Sequence, residues 1–192
     1  MSDTGISLSV NLSLPDWVAG LLPEMERPYP ADEDKMQLAL DLASRNLAEG
    51  TGGPFGAAIF DASTDQVISV GVNRVVPLNN STAHAEMMAF MLAQQRLGQY
   101  RLDDSGHDFV LATSAQPCAM CFGASPWSGI RRIIIGATRK DVESLTEFDE
   151  GPLPANWIEE LEKRGILVTQ DVLRPEACRV LQSYRNKKGT LY

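Results

Sequence analysis

One histidine and two cysteines at fixed spacing constrain this chain more than any other feature. Thr82-Ala83-His84-Ala85-Glu86 offers an imidazole and, two residues on, a carboxylate. Gln116-Pro117-Cys118-Ala119-Met120-Cys121 offers two thiols, the first of them 34 residues after the histidine. His84, Cys118 and Cys121 form the mixed nitrogen and sulfur set that Zn²⁺ prefers, one ion per chain. Three protein donors, not four, leave one tetrahedral position for water, the arrangement of a catalytic zinc. Glu86 then stands where a general acid–base belongs. A lone Cys-x-x-Cys pair or a lone histidine would say little. Here the chain has only two histidines, and one of them precedes a glutamate at a predicted helix start.

Both pieces are expected to open helices. Residues i and i+3 lie on one helix face, so Cys118 and Cys121 reach a common ion. The free N–H groups of a helix start favour thiolate over thiol, which strengthens metal binding. Any fold for this chain must bring two helix starts to one point.

At 192 residues the chain is expected to hold one main domain. Residues 32–192 are read as a single domain, with 1–31 as an N-terminal arm laid over it or over its dimer mate. In the arm, Ile6, Leu8, Val10, Leu12 and Leu14 alternate with polar residues, the pattern of a half-buried strand. Pro15 ends that run, a short helix is expected over 16–22, and Pro23, Pro28 and Pro30 mark a linker. No Lys or Arg occurs in the first 26 residues, and no apolar run of about 18 residues exists, so neither a secretory signal nor a membrane span is expected. Three cysteines do not make a disulfide framework, and the expected compartment is the reducing cytoplasm. A net charge of −8 disfavours a nucleic-acid partner, because such binding rests on cationic side chains neutralising phosphates.

The domain opens near Asp32, read as an N-cap, with Met36, Leu40, Ala43 and Leu47 at helical spacing. Runs over 54–61 and 66–73 read as a β-hairpin. A polar loop over 77–81 leads to a helix starting near Thr82 or Ala83, with Met87, Met88, Met91 and Leu92 facing the core. A third strand is expected over 108–113, followed by the Cys118 helix, which stops at Pro126 or Gly129. Strands over 131–137 and 166–170 flank a helix over 155–164, and this long crossover predicts that they are parallel. A last helix over 175–187 turns Ala177, Val180, Leu181 and Tyr184 inward. The class is α/β, a mixed sheet between helices.

At this point the motifs resemble the cytidine deaminase-like superfamily of zinc-dependent nucleobase deaminases, whose signature is H-x-E followed by P-C-x-x-C. Within it, Gly52-Gly53-Pro54-Phe55-Gly56, Gly71-Val72-Asn73, Pro117 to Ala124 and Phe148-Asp149-Glu150-Gly151-Pro152 are similar to the bacterial-type guanine deaminases. The resemblance implies a three-layer helix/mixed-sheet/helix sandwich of about five strands. It also implies hydrolysis of guanine to xanthine and ammonia, a small purine base as partner, and a homodimer. It makes Glu86 and Glu150 the catalytic carboxylates, with Asp149 the rival of Glu150. Asn73, the Ala85 backbone N–H, Phe55, Trp127, Phe148 and Tyr192 become candidate substrate contacts. Gln116 departs from the glutamate usual in relatives. Two other readings compete: an adenosine deaminase acting on tRNA (or another base deaminase on this scaffold), and a structural zinc site completed by Cys178 or His107.

Overall fold

The computed structural model describes residues 7–191. Five strands form one sheet in the order β2-β1-β3-β4-β5: β1 Gly56–Asp61, β2 Val67–Val72, β3 Phe109–Ala115, β4 Arg132–Ala137 and β5 Leu167–Thr169. β1 is antiparallel to β2 and β3, whereas β3-β4 and β4-β5 are parallel. The expected hairpin and the parallel last pair are both present, and the sheet lies between helices.

The strands read as apolar runs because both sheet faces are covered. In β1, β3 and β4 the side chains alternate between two clusters. Ala58, Phe60, Val110, Ala112 and Ile134 pack on one face with α1 (Asp32–Ala48) and α7 (Arg174–Asn186). Ala57, Ile59, Phe109, Leu111, Ile133 and Ile135 pack on the other with α3 (Ala85–Leu97). Gly71 allows α3 to lie close on β2: a Cβ there would fall 2.0 Å from the Ala85 carbonyl oxygen. This contact holds the start of α3, and with it the histidine, against the sheet.

Several local expectations change. Ala31, not Asp32, is the N-cap of α1; Asp32 lies in the first turn and pairs with Arg132. Residues 7–14 form no strand, and Leu8 and Val10 are exposed, because no hydrogen-bonded partner strand runs beside them; Ile6 lies outside the described residues. The expected short helix is a 3₁₀ segment, Asp16–Glu26, that continues through Pro23 and buries Val18 and Met25. The polar loop contains a turn of helix, α2 Val75–Leu78. On α3 the buried apolar residues are Ala85, Met88, Ala89, Phe90 and Ala93; Met87 packs half-buried against that core as expected, while Met91 and Leu92 are partly exposed. α4 (Ala119–Ser128) ends at Gly129, one of its two expected stops, with Pro126 inside it. α6 is shorter than expected, Trp157–Glu162. Sequence reading missed α5, Arg139–Thr146, although its capping box is visible in Thr138-x-x-Asp141.

Candidate metal centre and its cavity

The motif residues converge at one end of the sheet, beyond the carboxyl ends of β2, β3 and β4 and the start of β1. Crevices at such strand ends are where open α/β sheets hold their ligands. His84 is the N-cap of α3 and Cys118 the N-cap of α4, so both donors sit at positive helix ends. His84 Nδ1 lies 3.5 Å from Cys118 Sγ and 3.8 Å from Cys121 Sγ. The three donor atoms all fall within 4.8 Å of one another. A tetrahedral zinc with ordinary bond lengths separates its nitrogen and sulfur ligands by about 3.6 Å, so the donor set fits the ion.

Their electrostatics point the same way. Hydrogen bonding from Cys121 is the main cause that brings the Cys118 thiol down to about 4, with His84 assisting against burial. Cys121 is pushed up, by donating to Cys118 and by burial. Burial would lower His84, but its bond to Cys118 and the charge of Glu86 raise it. Burial lifts Glu86 above the ordinary carboxylate range, and Cys118 adds to that. Glu150 is raised to about 8, first by burial and then by the charges of Cys118 and Glu86. Two thiols and two carboxyls crowd around one imidazole, and a bound cation relieves that crowding.

The donors form one wall of a cavity of about 300 Å³. Of the expected site residues, Glu86, Ala85, Asn73, Phe55, Phe148 and Glu150 also line it. Glu150 is held by its backbone, whose carbonyl accepts from the Ala119 N–H at 2.9 Å, next to Cys118. The loop alternates: Phe148 and Glu150 are buried while Asp149 between them is exposed and caps the Gly151 N–H at 2.9 Å. Asp149 also borders the cavity, but Glu150 is the buried carboxyl. Phe148 packs on Phe55 with ring centroids 5.5 Å apart, and on Tyr184 at 5.7 Å. Asn73 Oδ1 accepts from the Val75 N–H at 3.2 Å, leaving its amide donors for the cavity.

Trp127 is not brought to this cavity. It is 77% exposed and lines outer hollows with Phe122 and Met91, because its position on α4 faces away from the sheet end. Tyr192 lies outside the described residues. Cys178 packs on the core from α7, and His107 bonds Asp61 at 3.0 Å, so neither supplies a fourth ligand. Sequence reading did not select Ser81, Ala115 or Met120 as lining residues, and nothing in their local pattern marks them. It noted Gln116 only as a departure; this side chain lines the cavity and accepts from the Arg139 N–H at 3.1 Å.

Residues 30–137 match the cytidine and deoxycytidylate deaminase zinc-binding region. The chain belongs to that deaminase family. This deaminase is a zinc-dependent hydrolase, with His84, Cys118 and Cys121 positioned to hold one metal ion. It is 34% identical to the guanine deaminase of Bacillus subtilis over 154 residues, 80% of this chain and 94% of the relative. A solved structure of the guanine deaminase from Nitrosomonas europaea is 41% identical, with a TM-score of 0.88 over 94% of this chain and 98% of that one. The tRNA-specific adenosine deaminase of Buchnera aphidicola subsp. Schizaphis graminum is 30% identical over 82% of this chain and 98% of the relative. No described helix is long and apolar enough to cross a membrane.

Proposed function

We propose that the deaminase converts guanine and water to xanthine and ammonia, and that its pocket admits other aminated heterocycles. The observation that carries this reading is a second buried carboxyl, Glu150, in the same cavity as the metal donors and Glu86. Guanine presents N1–H and its 2-amino group as adjacent donors; a cation on the donor set would offset the Cys118 and Glu86 charges that raise Glu150, and its ionised carboxylate would only accept. Adenine lacks that pair of donors. Among solved structures the likeness to a guanine deaminase, 41% identical with a TM-score of 0.88, exceeds that to a tRNA deaminase, 28% identical with a TM-score of 0.57, and supports the same choice; so does a net charge of −8.

Zinc on the three donors would supply Lewis acidity that brings the pKa of water to about 7. The protein does the rest. Phe55 and Phe148, packed on each other, line one side of the purine ring, Asn73 donates to its acceptor edge, and the Ala85 N–H, free at the start of α3, meets the substrate. Glu150 accepts from the N1–H edge. Glu86 takes a proton from the attacking water as oxygen bonds to C2, and delivers it to a ring nitrogen. It then carries the proton of the new C2 hydroxyl to the amine as the C2–N bond breaks, leaving the C2 carbonyl and ammonia. The zinc-loaded chain should release ammonia from guanine and much less from adenine, cytosine or guanosine. Release from adenosine in tRNA, with none from guanine, would overturn the reading.

Residues 32–192 would then form the catalytic unit, with 1–31 as its arm. The same proposal includes a homodimer in the cytoplasm. Exposed Trp127 and Tyr100, on the outer side of α3 and α4, support a face that another copy covers. Sedimentation at micromolar concentration should give twice the mass of 21.0 kDa.

A further inference from the structure

Asn46 on α1 is fully buried, and every polar atom of its side chain is engaged. Its Nδ2 donates to the Gly53 carbonyl at 2.8 Å and to the Asn73 carbonyl at 2.9 Å. Its Oδ1 accepts from the Thr51 hydroxyl at 2.8 Å. That hydroxyl in turn accepts from the indole N–H of Trp17 at 2.9 Å. A hydroxyl has one proton, so the indole donor leaves that proton to point at Asn46. The direction of the whole relay is thereby fixed, from the N-terminal segment to the backbone of a cavity residue. Gly52 makes the approach possible: a Cβ there would lie 1.8 Å from the Asn73 oxygen and 2.7 Å from Asn46 Nδ2. Arg74, next along the chain, ties the same region down by donating to the carbonyls of Thr51 and of Ser13.

We infer that Asn46 is a positioning residue for the base pocket, and that the N-terminal segment acts on substrate binding through Trp17, Thr51 and Asn46. The inference rests on the guanine reading, in which Asn73 holds the base. Removing one link of a buried hydrogen-bond chain leaves a partner unsatisfied and lets the next group turn. The Asn73 backbone then loses its register with the cavity while the metal donors, on other elements, keep theirs.

The test measures kcat and KM for guanine in the zinc-loaded full chain. Trp17→Phe keeps the ring over the core and removes the N–H; Thr51→Val removes the hydroxyl. Each should raise KM about fivefold, the equivalent of one hydrogen bond, with kcat and zinc content unchanged. Thr51→Ser should restore KM. In an Asn73→Ala background the same two changes should add nothing, because their path ends at Asn73. Asn46→Ala should show the largest rise in KM, with circular dichroism reporting its fold. A KM unmoved by both Trp17→Phe and Thr51→Val overturns the inference, as does an equal rise in the Asn73→Ala background. A lower kcat at constant KM also overturns it, since that is the mark of a smaller folded fraction. Those outcomes leave the wild-type rate on guanine intact, whereas a wild type without that rate removes both readings.

Discussion

On one wall of the cavity, His84, Cys118 and Cys121 come from the first residues of two helices. On the other, Asn73, Phe148 and Glu150 come from loops that follow β2 and α5. The first wall is fixed by local geometry: a one-turn spacing, two helix ends and close packing through Gly71. The second depends on bonds from distant segments, Asn46 to the Asn73 carbonyl and Ala119 to the Glu150 carbonyl. On the proposed reading, chemistry sits on the locally fixed wall, and recognition on the wall that other parts of the molecule position. Changes on the first should abolish turnover, and changes on the second should grade it.

Cys121→Ser strikes the first wall hardest. It should lose zinc, read by metal analysis after dialysis, and take turnover to background; retained metal and turnover would break the comparison. Glu86→Ala should keep zinc and lower kcat about 10²–10⁴-fold, as expected when a general acid–base is removed. On the second wall, Glu150→Gln should lower kcat/KM for guanine about 10–100-fold through a lost charge-assisted hydrogen bond. Little change there would remove Glu150 from the site.

Gly71→Ala sharpens the comparison by stability instead of rate. The new Cβ meets backbone at 2.0 Å, and the variant should unfold about 1–3 kcal/mol more easily in urea, with zinc affinity falling as His84 shifts. The smallest effect lies away from both walls. Its hydrogen bonds with Arg174 are the main cause that keeps Asp141 at about 2, below its ordinary 3.8, although burial opposes this. A depressed carboxyl stabilises the fold fully above its unfolded value, and that contribution disappears as pH falls through the folded one. Arg174→Ala should therefore lower Tm slightly at pH 7, and the gap from wild type should close between pH 4 and pH 2.

The metal wall and the sheet were legible because their signals are local. Cys-x-x-Cys at a helix start and alternating apolar runs each carry their geometry within a few residues. The arm shows the opposite. Its alternation over 6–14 reads as a strand, yet a strand exists only where another offers a hydrogen-bonding edge, and residues 7–14 have none. Trp127 looks like a stacking residue by composition, but the turn of α4 points it outward. Asn46 gave no signal, since a polar residue on a helix is ordinary until its three partners arrive from elsewhere in the chain.

By itself the sequence determined the donor set, the carboxyl beside it, the hairpin and the parallel crossover, because each follows from spacing along the backbone. Only the tertiary structure decided that Glu150 rather than Asp149 is the buried carboxyl, that Asn73 presents donors, and that Trp17 reaches the pocket through Asn46. Those facts depend on which groups remain for a side chain to bond once distant segments have packed, and that is settled in three dimensions.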